Sequence, residues 1–424
     1  MRKVTDPIMS YHRRYRADFG KTFCWSFIAA ALLLAAASSS PANAQWKRHT
    51  IDDRGRGADG VRLLDIDRDG ELDIVTGWEE SGHVCVYFAP DIEQRSQPWP
   101  RVVVGKQKSV EDAVAISLPG EFAALVVSCH EGNQKQVMVH RLDAKDDKVL
   151  TRDLMLQEGR WKSTPIKSCD QVSRWMFATM VNISGAVSGL VVGSKSPDGQ
   201  VALLYPASGK ITAESERIED WNRVVLQKAG WIMSLIAVDM DADGDEDVLV
   251  SDRKGDRRGV YWLEQPESAK RSDPTAWTRH EIGAGNHEVM FIDGDAGEVL
   301  ATTRDGLTLR FQRTAPDSWT TESLTNPLQI QSGKAVRRIP GSDPLQFVFA
   351  ANTGVHKMDK GKPGVVLASV EALNDATNVS GPDGVKFDRI ELLDVDEDGD
   401  LDVITCEERD NLGVFWYENP GQAY

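Results

Sequence analysis

The chain has 424 residues, with 65 acidic and 49 basic side chains, a formal net charge of −16, and 41% hydrophobic residues. That length suffices for a large core or several domains. A chain this acidic repels nucleic acid and anionic membrane surfaces and suits divalent cations instead.

Residues 1–22 are basic, with Arg13, Arg14, Arg16 and Lys21; an apolar run from Phe23 to Ala37 follows, then a small-residue stretch ending Pro41-Ala42-Asn43-Ala44. This is the layout of a secretory signal peptide, and cleavage is expected after Ala44, leaving residues 45–424 as a single domain. The apolar run, about 15 residues, is short for a stable membrane span of ~20. An uncleaved anchor is the lesser alternative. Arg13-Arg14 resembles a twin-arginine signal, and Met9 offers a second start. Loss of the leader removes six basic and two acidic side chains, leaving a net charge of −20. No further long apolar stretch occurs, so no membrane span is expected after cleavage, and the periplasm, cell surface or extracellular space is the expected location. Cys85, Cys129, Cys169 and Cys406 lie far apart without a metal-type pairing. Oxidation would allow three pairings; burial as small apolar side chains is the other reading.

Internal repeats organise the rest. Residues 63–75 read LLDIDRDGELDIV, residues 237–249 read AVDMDADGDEDVL, and residues 392–404 read LLDVDEDGDLDVI. Each is followed by a polar turn and a second apolar strand: VCVYF (84–88), GVYWLEQP (259–266) and GVFWYENP (413–420). Segments 113–132, 177–196, 288–306 and 335–354 keep the strand–turn–strand pattern without most of the acids, making seven units of about 54 residues. Short strands rich in Val, Ile, Leu and aromatics, with Gly, Asp and Pro turns, predict an all-β, seven-bladed propeller of four-stranded antiparallel blades. The ends predict how it closes. The last unit stops where a Trp-led strand should follow, and residues 46–51, WKRHTI, match WTRHEI at 277–282. The N-terminal strand is therefore expected to complete the last blade, which removes the exposed edges of a linear stack.

The acidic stretches carry the clearest chemistry. Asp65, Asp67, Asp69 and Asp73 stand at loop positions 1, 3, 5 and 9, with Gly70 at position 6. Asp239, Asp241, Asp243, Gly244 and Asp247 repeat the pattern, as do Asp394, Asp396, Asp398, Gly399 and Asp402. Four carboxylates in nine residues repel one another unless a hard cation sits between them. Alternate residues of a tight loop can turn their oxygens to one calcium ion, with Glu71, Asp245 or Asp400 adding a main-chain carbonyl. Three calcium ions per chain are expected. An EF-hand is excluded, because position 12 is Thr76, Val250 or Thr405 and the flanks read as strands.

These loops resemble the FG-GAP/VCBS repeats of integrin α-subunit propellers and of many exported bacterial proteins. The resemblance covers nearly all of residues 45–424 but is strong in only three units, and the Phe-Gly…Gly-Ala-Pro phrase is absent. It implies structural calcium at the named aspartates; Asp293 and Asp295 in the fifth unit are a remnant.

Loops joining the first and second strands share one face. The segments entering each first strand, and the turns after each second strand, share the other. There stand Arg62, Glu111, Asp112, His130, Arg174, Trp175, Trp231, Asp252, Arg253, His287, Glu288, Lys334, Lys386 and Asp388, with Asp59, Glu79, Glu80, Glu131 and Glu407 nearby. A solvated, salt-bridged rim is one reading; a pocket with Trp175 and Trp231 as aromatic platforms is the other. No nucleophile elbow, zinc-protease helix, P-loop or dinucleotide fingerprint is present. The expected function is a binding, adhesion or scaffold module for an extracellular ligand, carbohydrate or protein. The alternative is a carbohydrate-active lyase or hydrolase working on the face opposite the calcium loops, with His130 or His287 and nearby carboxylates as acid and base.

Overall fold

Apolar runs of five to seven residues, punctuated by Gly and Asp turns, fold as the repeat predicts. The computed structural model describes residues 46–118, 121–144, 147–184, 187–206, 217–267, 270–324, 332–351 and 364–421. The expected signal peptide lies outside them. Seven four-stranded antiparallel sheets form seven blades. Blade 1 comprises Ala58–Leu64, Asp73–Trp78, His83–Tyr87 and Arg101–Lys106; blade 2 comprises Val110–Ile116, Leu125–His130, Val137–Leu142 and Trp161–Pro165. Blade 3 runs Arg174–Ser184, Val187–Lys195, Gln200–Tyr205 and Asn222–Lys228; blade 4 runs Ile232–Val238, Asp247–Asp252, Gly259–Glu264 and Thr278–Gly283. Blade 5 runs Val289–Gly294, Glu298–Thr303, Thr308–Ala315 and Ser318–Leu324; blade 6 runs Ser332–Arg338, Gln346–Ala351, Val365–Ser369 and Thr377–Asn378. Blade 7 takes Phe387–Leu393, Asp402–Glu407 and Gly413–Glu418 from the end of the chain and Lys47–Asp52 from its start.

The first strand of every blade touches the first strands of both neighbours, and blade 7 returns to blade 1, so these strands form an inner ring. Lys47 pairs with Glu418, His49 with Trp416 and Thr50 with Phe415, which is the predicted clasp. The two Trp-led strands look alike because they do the same work. His49 stacks on Trp416 at 4.3 Å and His280 stacks on Trp262 at 4.0 Å between ring centroids. Gly413 is required at the seam: its φ is +81° and a Cβ there would lie 2.1 Å from the Asp52 carbonyl.

The apolar core is divided as the blades are. Among the described residues, seven buried clusters occur, each spanning a junction between adjacent blades. Closure at the blade 7–blade 1 junction buries Trp78, Tyr87, Trp99, Ile404 and Trp416 together. Removing that area from water stabilises the ring by roughly 25 cal/mol per Å². Cys85, Cys129, Cys169 and Cys406 are all buried and free, so the apolar reading of the cysteines is the one observed. Among the described residues, no helix is long and apolar enough to cross a membrane.

The connections sort onto two faces. On one, turns after second strands bond the segments entering first strands: Ser109 N to Glu79 O at 3.3 Å, Arg253 N to Trp231 O at 2.8 Å and Glu408 N to Lys386 O at 3.1 Å. The acidic loops lie between first and second strands, at the other end of the blades.

Candidate functional site

The acidic loops share one backbone. Position 4 is left-handed in each, with φ of 65° at Arg68, 68° at Ala242 and 58° at Glu397. Position 6 reaches φ of 101° at Gly70, 97° at Gly244 and 101° at Gly399, a conformation open to glycine and strained for other residues. The position-1 carboxylate accepts from the position-6 amide: Gly70 to Asp65 at 3.1 Å, Gly244 to Asp239 at 3.2 Å, Gly399 to Asp394 at 3.1 Å. The position-9 aspartate is a staple. Asp73 accepts from Ile66 and Ala89, Asp247 from Met240 and Gln265, and Asp402 from Val395 and Asn419, all at 2.8–2.9 Å. Burial pushes these three carboxyls up, to about 7 for Asp73 and Asp247 and about 8 for Asp402, and neighbouring loop acids raise them further.

These residues fit an oxygen-ligated divalent cation. One oxygen from each of Asp65, Asp67 and Asp73 lies within 4.8 Å of the others, and Asp239, Asp241, Asp247 and Asp394, Asp396, Asp402 form equal groups. Asp65 Oδ1, Asp67 Oδ1 and Asp394 Oδ1 are buried without a hydrogen-bond partner, as are Asp245 Oδ1 and Asp400 Oδ1. Buried, unsatisfied carboxylate oxygens are costly unless a cation meets them.

Arginines around the loops escaped the sequence reading because each comes from a distant segment. Arg95 donates to Val395 O at 2.8 Å and Glu71 at 2.7 Å, joining the loops of blades 7 and 1. Arg313 reaches Met240 O, and Arg271 reaches Asp245 at 3.1 Å. Arg152 pairs with Asp67 at 2.6 Å and Asp69 at 2.5 Å. In blade 5 the remnant acids have arginine partners: Arg337 Nη1 meets Asp293 at 3.1 Å and Arg338 Nη1 meets Asp295 at 2.8 Å.

The opposite face carries charge at the mouth of the inner ring. Arg62 holds Asp112 with two bonds, 3.0 and 2.9 Å, and Arg253 holds Glu288 at 2.8 Å. Lys195 pairs with Glu131, Lys334 with Asp388, and Lys386 with Glu408. Among the described residues, the side chains of Asp59, Glu79 and Glu111 take no ion-pair or hydrogen-bond partner. Burial, with Asp59 beside it, pushes Glu111 up to about 8. Burial, with Lys334 beside it, pulls Lys386 down to about 8. Asp59 and Glu79 are likewise raised, and Lys195 and Lys334 lowered, chiefly by burial. Lys195 was absent from the sequence reading. It ends a second strand, the register position that also precedes Glu79 and Glu131, and that register is the signal that could have found it.

Several expected face residues lie elsewhere. Trp175 is 0% exposed, packed in the blade 2–blade 3 core with its Nε1 donating to Cys169 O at 2.9 Å. Strand alternation turns exposed Arg174 outward and Trp175 inward, so Trp175 is no platform. His130 is buried in a chain of hydrogen bonds: its Nδ1 faces Lys108 O at 3.0 Å, its Nε2 faces Ser128 Oγ at 2.7 Å, and Ser128 faces His140 Nε2 at 2.8 Å. Asp252 is buried and accepts from the amides of Gly230 and Trp231 at 2.9 and 2.8 Å, a turn-capping role that Glu407 repeats in blade 7. His287 meets Asp305 at 3.2 Å. Trp231 is partly exposed, and its ring already carries Lys195, Arg253 and Lys254 at 4.4, 4.5 and 4.9 Å. The structure does bring Arg62, Glu111, Asp112, Lys334, Lys386 and Asp388 together.

No protein-family model matches the chain, and no curated protein matches it. Among solved structures it is similar to the β-propeller domain of Myceliophteria thermophila Cps50 (Swd1), with a TM-score of 0.50 and 13% identity over 88% of this chain and 99% of that one. It is also similar to the WD40 β-propeller domain of Doa1, with a TM-score of 0.47 and 13% identity over 88% of this chain and 98% of that one. At such identity the first likeness concerns the fold alone: a seven-bladed β-propeller, an architecture able to act as a scaffold or binding module.

Proposed function

We propose that the chain is an exported, calcium-stabilised propeller of the FG-GAP/VCBS kind. In this reading it binds an extracellular ligand through the charged mouth opposite its calcium loops. The observation that carries the proposal is the threefold loop geometry, in which carboxylates converge in blades 1, 4 and 7 and, in blades 1 and 7, leave buried oxygens without partners. Calcium suits these loops better than magnesium, which demands a stricter octahedron and retains more water. The ions would act as cement, tying first and second strands together in blades 1, 4 and 7. Isothermal titration of the chelated protein tests this: three bound calcium ions per chain are expected, and fewer than two would overturn it.

A second reading, a carbohydrate-active lyase or hydrolase, draws on one observation. Glu111 and Lys386 are both drawn toward 8, where each can give or take a proton near neutrality. Against it, Arg62, Lys195, Arg253, Lys334 and Lys386 are already paired with carboxylates, which leaves none of these five free to hold an acidic sugar. A screen of glycans for binding and cleavage separates the two. Cleavage that is lost in Glu111→Gln, with binding retained, would favour the enzyme.

A further inference from the structure

The three acidic loops have the same backbone but different electrostatic surroundings. In each, the position-5 aspartate uses Oδ1 to accept the position-7 amide: Glu71 to Asp69 at 2.9 Å, Asp245 to Asp243 at 3.0 Å, Asp400 to Asp398 at 3.1 Å. That leaves Oδ2 as the position-5 oxygen open to an ion. In blade 1 this oxygen is taken by Arg152 Nη2 at 2.5 Å. Position 3 differs as well. The Oδ1 atoms of Asp241 and Asp396 accept from the position-5 amide, at 3.1 and 3.3 Å, whereas Asp67 accepts from Arg152 Nε through Oδ2 at 2.6 Å and keeps Oδ1 buried and unpartnered.

The guanidinium is fixed from behind. Arg152 opens a short helix, Arg152–Met155, capped by Thr151, whose Oγ1 accepts from Leu154 N at 3.2 Å. Its Nη1 donates to Ala89 O at 2.8 Å. The helix belongs to the connection between the third and fourth strands of blade 2, and Met155 is fully buried, so the arginine is delivered across the blade junction by a packed element. The loops of blades 4 and 7 receive arginines otherwise. Arg271 meets the side chain of Asp245, a position that offers an ion its main-chain oxygen, and Arg95 meets Val395 O and Glu397, at positions 2 and 4. Blade 5 shows where the trend leads: its remnant Asp293 and Asp295 are paired with Arg337 and Arg338 of blade 6.

We propose that Arg152 is a tethered internal cation of the blade 1 loop, which makes that loop a weaker divalent-ion site than those of blades 4 and 7. The proposal rests on the calcium reading above. An ion entering blade 1 meets one fewer free carboxylate oxygen and one more positive charge, and affinity in such loops follows ligand number and charge. Filling the site requires Arg152 to withdraw from Asp69, so occupancy of blade 1 is coupled to the blade 2 connection, whereas the other two sites are not.

Calcium titration by calorimetry, with terbium luminescence as a second readout, tests the proposal on the wild type, Arg152→Ala and the milder Arg152→Gln, each checked for folding by circular dichroism. The wild type should show two tight sites and one at least roughly tenfold weaker. Either variant should bring the third site to within about threefold of the others. Three equal sites in the wild type, or a weak site unmoved by both variants, would overturn the role of Arg152 while leaving calcium binding intact. Absence of binding at every loop would overturn the calcium reading and this inference together.

Discussion

His49 and Glu418 lie 369 residues apart in the chain, and their Nε2 and Oε2 atoms meet at 2.6 Å. The contact sits on the strand pair that closes the ring, beside the His49–Trp416 stack. His49→Ala removes both the stack and the bond. It should cost about 1–2 kcal/mol, read from guanidinium unfolding. Deleting residues 46–51 takes away the fourth strand of blade 7 and exposes a sheet edge, so unfolding should lose cooperativity and the protein should self-associate on size exclusion. A cooperative, unassociated deletion variant would mean that the clasp is dispensable.

Blade 2 carries an acid-sensitive element. His130 Nδ1 donates to Lys108 O, so its Nε2 accepts from Ser128; Ser128 then accepts from His140 Nε2, whose Nδ1 accepts from Ser163 at 2.7 Å. Protonating either ring breaks the chain. Burial pulls His130 down to about 4 and His140 down to about 3, from an ordinary 6.5. The unfolded chain therefore binds more protons, so this stability is present above about 6.5 and is lost as pH falls through 4. The melting temperature should decline over that window, and the decline should be shallower in His130→Gln/His140→Gln. Ser128→Ala orphans two ring nitrogens and should cost about 1–3 kcal/mol with the wild-type pH slope retained.

The architecture was legible because a blade is written locally: four short strands, a turn at each end, and the in-phase loops at Asp65, Asp239 and Asp394. Even the clasp was visible, since WKRHTI and WTRHEI share their residues for a shared reason, the His–Trp stack. The mouth was legible only in part. Strand alternation decides whether a residue faces the ring or the core, and one step separates exposed Arg174 from buried Trp175. His130 reads as a catalytic candidate in sequence, yet its neighbours Ser128 and His140 lie on paired strands and absorb it. Arg152 and Arg95 were invisible because their partners are 83 and 300 residues away.

The Lys334–Asp388 pair joins the first strand of blade 6 to the first strand of blade 7, with both side chains nearly buried. Removing one partner leaves a buried charge without its counter-ion. Lys334→Met should cost about 3–5 kcal/mol, whereas Lys334→Met/Asp388→Leu should recover much of it. Chemical denaturation of the four proteins of this cycle measures the coupling. Additive costs would show that the pair is solvated and that Lys386 already balances Asp388.

One aspartate in blade 4 and one in blade 5 separate metal ligation from acidity. Asp241 stands at position 3 of a complete loop, and its oxygens converge with those of Asp239 and Asp247. Asp293 is the penultimate residue of the first strand of blade 5 and accepts from Arg338 N at 2.8 Å and from Arg337 Nη1 at 3.1 Å. Asp241→Ala should lower the calcium stoichiometry from three to about two, and should shrink the rise in melting temperature on calcium addition. A site filled at one hundred times its dissociation constant contributes about 2.7 kcal/mol. Asp293→Ala should leave the stoichiometry at three and still destabilise the protein, because Arg337 and Arg338 lose a half-buried partner. Chelation should lower the melting temperature of the wild type and of Asp293→Ala by similar amounts. A melting temperature indifferent to chelator in both would mean that the acidic loops are held by their own hydrogen bonds and arginines alone.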